Sequence, residues 1–282
     1  MKLFLDTAAL QEIKEAVSWG IIDGVTTNPS LIKKAVESLR ETGEGGDIEN
    51  YIKKILATAG RMCPVSLEVA GLTVDEMVTQ GKILYEKFDT VAGNVVIKIP
   101  VCTINSAGEG NAFDGIQAIR ELSDERIPVN TTLIFTPEQA LLAAKSGAEY
   151  VSPFVGRIDD SIRKLAEVSF NKTDYFPVEG ITSVDSDSFV TDHGLYSGVD
   201  LIERIAAIFS QHDYECEILA ASIRNPIQVR EVAEAGAHIA TIPFSVLNDM
   251  VVNPGTTSGI DSFTNDLVDE YIALLSDGDK AE

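Results

Sequence analysis

The chain has 282 residues, 45% of them hydrophobic and 23% charged, proportions that fit a compact soluble protein and argue against a disordered one. Twenty-two Lys+Arg against 44 Asp+Glu give a formal charge of −22, so the mean field repels DNA, RNA and anionic membranes, and any anion site must be a local cluster of arginines, backbone N–H groups or helix N-termini. Cys63, Cys102 and Cys216 lack any CxxC spacing and His193, His212 and His238 lack a mutual metal spacing, which argues against a disulfide framework or a metal site and fits a reducing, cytoplasmic setting.

In chain order, KLFLD (2–6) predicts a first strand and AALQEIKEAVSWG a helix closed by Gly20. GVTT (24–27), VSLEV (65–69), VVIKI (95–99), VNTTLIF (129–135) and YVSPFV (150–155) predict five more strands, the last two joined by PEQALLAAKSGAEY, an Ala-rich amphipathic helix stopped by glycine. EILAAS (217–222) and HIATIPF (238–244) complete eight, joined by NPIQVREVAEAGAH, a helix of the same kind. Short apolar runs alternating with helical spacing are the pattern of parallel strands with crossover helices, and eight is the strand number of a (β/α)8 TIM barrel.

One α/β domain over residues 1–282 is therefore expected. TGEGGD (42–47) and a polar stretch at about 164–197, between strands six and seven, read as insertions, since neither has a linker's composition. GIDSFTNDLVDEYIALL reads as a last helix covering one barrel end or a neighbouring subunit, and SDGDKAE as a polar tail. The apolar run in MKLFLDT is too short for a signal peptide, and no run approaches the ~20 residues of a membrane span.

Polar side chains interrupt these strands near their C-terminal ends, which converge on one face of a parallel barrel. They are Asp6, Asn28, Glu68, Lys98, Asn130, Thr132, Ser152, Ser222 and Arg224. Lys98, between Ile97 and Ile99, falls on the same side as Val96 and points inward. Desolvation there favours a neutral amine able to form a Schiff base with a ketone; the other reading is a lysine snorkelling to solvent or paired structurally with Glu68. Asp6 and Glu68 oppose the desolvation, either as proton carriers and orienters of hydroxyls or as members of a structural ion-pair network.

Arg157 follows YVSPFVG, and Arg224 follows EILAASI at the start of a helix with Pro226 in its first turn. With the Ser222 hydroxyl and free backbone N–H groups they make a phosphate clamp; the alternative is surface arginines paired with Asp159 or Asp160. Asn28 in TTNPS is equally an ordinary helix start, and Asn130, Thr132, Ser152 and Phe154 are equally interior residues of a barrel.

At these residues the sequence resembles the transaldolases, especially the shorter branch related to fructose 6-phosphate aldolases. The resemblance rests on LDTA, DGVTTNPSLI, VSLEV, NVVIKIP, NTTLIF, QALLAAKSGAEYVSPFVGRIDD, GVDLI, AASIRNP, AGAHIATIPFSVL and GIDSFTNDL, in that order. It implies a class I aldolase barrel with Lys98 as the Schiff-base lysine, working without nicotinamide, metal or thiamine. Glu68 resembles the acid/base residue, acting through a water held with Thr132, and Asp6 the carboxylate that handles donor hydroxyls and protons. Asn28 and Asn130, with Ser152 beside them, resemble residues that bind the dihydroxyacetone unit. Arg157, Ser222 and Arg224 match phosphate-binding positions. Aldolase-type members tend to carry Gln at the position of Glu68 and Tyr at that of Phe154; both residues here are transaldolase-like.

The implied reaction moves a dihydroxyacetone unit from fructose 6-phosphate or sedoheptulose 7-phosphate to an aldose phosphate, as in the pentose phosphate pathway, in a homo-oligomer whose partners are small sugar phosphates. The rivals are an aldolase that releases free dihydroxyacetone or acts on another anionic ketose, and a non-catalytic barrel that binds sugar phosphates as a regulator. The insertions, and INSAGEGNAFDG after Lys98, bear on acceptor choice and assembly rather than on imine chemistry.

Overall fold

The computed structural model describes residues 1–41, 47–183 and 188–276. Eight parallel strands close into a barrel in sequence order: β1 (Lys2–Asp6), β2 (Gly24–Thr26), β3 (Val65–Glu68), β4 (Val95–Pro100), β5 (Val129–Ile134), β6 (Tyr150–Pro153), β7 (Glu217–Ala220) and β8 (Ile239–Ile242). The eight predicted runs are these eight strands, displaced at most by a residue or two at their ends. The helices predicted from glycine stops are α1 (Leu10–Ser18), α6 (Pro137–Lys145) and α9 (Pro226–Glu234), and the stopping residues Gly20, Gly147 and Gly236 all adopt positive φ.

Two layers make the core. Between strands and helices lies a large apolar cluster that includes Leu5, Ile97, Ile134, Ile158 and Ile205. Inside the barrel, Phe4, Val96, Tyr150, Leu219 and Ile239 form a plug, with the rings of Phe4 and Tyr150 edge to face at 6.1 Å. Gly24 makes room for this plug: a Cβ there would stand 2.5 Å from Phe4 Cζ.

Each plug residue has a successor two positions along its strand, on the same face and nearer the C-terminal end. Those successors are Asp6, Lys98, Ser152, Ala221 and Thr241. A mostly polar layer therefore rests directly on an apolar floor, and the pleat that buries Val96 is what turns Lys98 inward.

Other features depart from the expectations. Two helices, α2 (Pro29–Glu41) and α3 (Ile48–Ala59), connect β2 to β3, and Asp47 caps the second by accepting from Glu49 N at 3.0 Å. Helices α4 (Val74–Ala92) and α5 (Asp114–Asp124) follow β3 and β4. The insertion lies between α7 (Val155–Leu165) and α8 (Gly198–Gln211), with isolated bridges Thr182–Phe189 and Asp192–Leu195 in place of regular structure. Except for Asp47, TGEGGD lies outside the described residues, as do 184–187 and the tail beyond Ser276.

At the C-terminus two helices stand where a single one was expected. After α10 (Phe244–Asp249), the chain forms two helices, α11 (Pro254–Asn265) and α12 (Asp269–Ser276). Neither α11 nor the described side chains of α12 are buried in this chain; Phe263 is 76% and Leu274 73% exposed. The break follows from Asn265 and Asp266, whose side chains compete with helical backbone bonding, and from Asp269 and Glu270, which suit a new helix start. No helix among the described residues is long and apolar enough to cross a membrane.

Candidate active site

Lys98 sits at the centre of the polar layer, 6% exposed. Its Nζ lies 3.2 Å from Glu68 Oε2 and donates to the Thr27 carbonyl oxygen at 3.2 Å. Register explains the first contact: Glu68 on β3, Lys98 on β4 and Asn130 on β5 are successive neighbours across the sheet. Asp6, Thr26, Asn28, Ser152, Phe154, Arg157, Ser222 and Thr241 join Lys98 around a cavity of about 140 Å3 at the C-terminal ends of the strands.

Asp6 is held by a hydroxyl pair. Thr26 Oγ1 donates to Asp6 Oδ1 at 2.8 Å and lies 2.5 Å from Thr241 Oγ1. Burial pushes the Asp6 carboxyl above its ordinary range, against the pull of the Lys98 charge and the Thr26 bond; Glu68 adds a smaller push upward. A carboxyl in that setting sits beside the lysine as a group that can hold and release a proton.

The remaining candidates divide by position. Asn130 is fully buried, donating from Nδ2 to Ser66 Oγ at 3.1 Å and accepting at Oδ1 from Ser152 Oγ at 2.7 Å, so its amide is oriented and its neighbour Ser152 faces the cavity. Thr132 is buried two residues further along β5. Glu68, Asn130 and Thr132 do not line the cavity itself. Asn28 caps α2, its Oδ1 accepting from Leu31 N at 3.0 Å, and also lines the cavity.

The two arginines separate. Arg157 lies over the Phe154 ring, 5.0 Å from its centroid, and lines the Lys98 cavity with Ser222. Arg224 does not line it. Its guanidinium binds both oxygens of Asp160, Nη2 to Oδ2 at 2.7 Å and Nη1 to Oδ1 at 3.2 Å. It faces a second cavity, of about 420 Å3, which Arg157 also borders. The pairing with Asp160 expected of Arg157 as a surface arginine is made instead by Arg224.

The loop carrying Ser222 and Arg224 is tightly held. Ser222 adopts φ +60°, and Gly156 N donates to its carbonyl oxygen at 3.2 Å, an approach that leaves no space for a Cβ at Gly156. Arg224 N donates to Gln228 Oε1 at 2.8 Å, and Gln228 Nε2 donates to buried Asp159 at 2.7 Å, which also accepts from Gly198 N at 2.7 Å. Asp159 therefore ties α7 to the starts of α8 and α9.

Thr26, Thr241, Ser66 and the Thr27 carbonyl were not read as site residues. The signal was present for three of them: each side chain shares the inward face of its strand with a plug or site residue, two positions away.

The family profile described as Transaldolase/Fructose-6-phosphate aldolase matches residues 3–280. A protein named probable transaldolase from Hydrogenobaculum sp. (strain Y04AAS1) is 42% identical over 266 residues, covering 94% of this chain and 96% of that protein. Proteins of the same name from Desulfosudis oleivorans and Aquifex aeolicus are 42% and 39% identical, covering 94% of this chain and 97% and 96% of theirs.

Asp159 yields a pH test. Burial raises its carboxyl from 3.8 to about 6, against the pull of the Gly198 and Gln228 bonds and the Arg163 charge. An acid raised on folding contributes its full stability below its unfolded value and loses it as pH rises through the folded one. Asp159→Asn, which stays uncharged, is expected to gain on the parent by about 3 kcal/mol between about pH 4 and pH 6 and to run parallel to it above. Urea unfolding across that range measures the difference; a difference independent of pH would contradict the shift.

Proposed function

We propose, from the premise that this chain belongs to the transaldolase/fructose-6-phosphate aldolase family, that it is a transaldolase working through a Schiff base on Lys98. The observation that carries this reading is the buried Lys98 amine, 3.2 Å from Glu68 and facing a polar cavity shared with Asp6. Glu68 takes a proton from the lysine, and the freed Nζ attacks the ketone carbon of fructose 6-phosphate or sedoheptulose 7-phosphate. Protons delivered by the carboxyls release the carbonyl oxygen as water and leave an iminium ion.

The C3–C4 bond then breaks. Its electron pair moves toward the iminium nitrogen as the C4 hydroxyl proton passes to Glu68, through a water held at Thr132, and an aldose phosphate leaves. The enamine that remains adds to an incoming aldehyde such as erythrose 4-phosphate, with the proton returning along the same path, and hydrolysis frees the lysine. Asp6, raised by burial, exchanges protons with the donor hydroxyls and the imine. Asn28 and Ser152 hold the dihydroxyacetone unit, Asn130 orients Ser152 from behind, and Phe154 lines the same wall. Arg157 and Ser222 receive the phosphate end with Arg224 behind them.

Nothing in this sequence of steps calls for a metal or an organic cofactor. Three free thiols support a reducing, cytoplasmic setting, and the whole chain acts as one catalytic unit with its insertion between β6 and β7. The exposed apolar side chains of α11 and α12 support a homo-oligomer, in which these helices pack on another copy. Light scattering on the intact protein is expected to give a multiple of the chain mass, and a monomer would contradict the assembly.

A steady-state assay with fructose 6-phosphate, with and without erythrose 4-phosphate, tests the activity. The parent is expected to need the acceptor, Lys98→Met to show no turnover, and Glu68→Gln to be slowed about 100-fold. Turnover undiminished by omitting the acceptor would make the enzyme an aldolase instead, and turnover by Lys98→Met would remove the Schiff base from the account.

A further inference from the structure

Two threonines stand near Asp6, and the count of their protons gives the contact between them a direction. Register places Thr26 on β2 level with Asp6 and Thr241 on β8 level with Phe4, so the two hydroxyls meet across β1 inside the barrel. Both residues are buried and both line the Lys98 cavity. Thr26 Oγ1 donates its one proton to Asp6 Oδ1 at 2.8 Å. In its contact with Thr241 Oγ1, at 2.5 Å, Thr26 is therefore the acceptor and Thr241 the donor. The result is a chain of donations from Thr241 to Thr26 to the Asp6 carboxylate.

Such a chain favours one protonation state of the acid at its end. A hydroxyl whose own oxygen accepts a hydrogen bond is polarised and donates more strongly, by roughly 10–30% per added bond. The benefit goes to the charged carboxylate, because hydrogen bonds to ionised acceptors are about twice as strong as neutral ones. Thr241 thereby opposes the burial that pushes the Asp6 carboxyl upward. The charges that act on Asp6 are Lys98 on β4 and Glu68 on β3. The strands paired with β1 on either side, β2 as Gly24–Thr26 and β8 as Ile239–Ile242, carry no titratable side chain. Replacing Thr241 by valine keeps the shape of the side chain and alters none of these charges, so it isolates the hydroxyl.

We propose that Thr241 is a positioning residue for the reaction: through Thr26 it holds the Asp6 carboxylate in its hydrogen-bonded form and so sets how readily Asp6 gives up its proton. The inference rests on the Schiff-base reading for what Asp6 does in turnover, and on the hydroxyl contacts alone for the coupling. A threonine that only filled space beside Phe4 would leave the acid unchanged when replaced by valine.

Carbon-13 NMR of the intact protein with labelled aspartate carboxyls, followed across pH, tests the coupling without reference to turnover, and Asp6→Asn identifies the Asp6 signal. Thr241→Val and Thr241→Ala, which both remove the hydroxyl, are each expected to raise the proton affinity of Asp6 about threefold, and Thr26→Val about tenfold. Thr241→Ser, which keeps the donor, is expected to titrate as the parent does. In a chain already carrying Thr26→Val, Thr241→Val is expected to add nothing. In turnover of fructose 6-phosphate, the limb of the kcat profile that follows Asp6 moves to higher pH by the same factor in Thr241→Val and returns in Thr241→Ser. The proposal is overturned if removing the Thr241 hydroxyl changes the proton affinity by less than about 1.5-fold, if Thr241→Ser shifts as the valine variant does, or if the effect persists without the Thr26 hydroxyl. Asp6 titrations that move as expected in a protein that forms no borohydride-trapped adduct with a ketose phosphate would sink the Schiff-base reading and leave the coupling of Thr241 to Asp6 standing.

Discussion

A buried lysine beside a half-buried carboxyl is expensive to maintain, and the contact of Lys98 with Glu68 at 3.2 Å is what the architecture of the barrel mouth is arranged to hold. Breaking such a pair by removing one partner typically costs about 3–5 kcal/mol, because the other charge is left without compensation. Three features keep it in place. The β3–β4 register sets the two residues opposite one another, the Thr27 carbonyl accepts a hydrogen bond from the lysine, and the plug of Phe4, Val96 and Tyr150 fills the space below. The plug closes the barrel beneath the amine, and the cavity lies on its other side, at the C-terminal ends of the strands.

The same contrast of floor and mouth governs the carboxyls. Glu68 meets the lysine directly, while Asp6 is buried, bonded to Thr26 and pushed upward. Burial therefore favours the protonated form of the Asp6 carboxyl, against the pull of the Lys98 charge and the Thr26 bond. Anion recognition obeys a separate constraint. With an overall charge of −22, the protein attracts a phosphate only where cations are gathered locally, and they are gathered where α7, the β7 loop and the insertion meet.

Much of this was legible in the residues, for identifiable reasons. The strand runs were readable because parallel barrel strands are buried on both faces and stand out as short apolar segments. Lys98 was readable because a charge flanked by Ile97 and Ile99 has one inward direction. Arg224 was legible as a residue at a helix start, but its partner was not: its two bonds to Asp160 depend on how closely Gly156 lets α7 approach Ser222, a tertiary fact. Ser66, Thr26 and Thr241 were hidden because small hydroxyl residues are common in barrel interiors. The insertion has no period to read, so its place was not visible until the Arg163 guanidinium, lying over the rings of Phe170 and Phe176, located the loop. At the C-terminus, apolar spacing continues across Asn265 and Asp266, and the pattern read one helix where the backbone makes two.

The central claim is that the buried amine of Lys98 becomes covalently bonded to a ketose. Incubation with fructose 6-phosphate and borohydride, followed by mass analysis of the intact chain and of its peptides, tests it most directly. One adduct per chain, carried by the peptide that contains Lys98, is the result the account requires. An adduct on any other lysine, or an unmodified chain under conditions where the ketose phosphate is turned over, would contradict it.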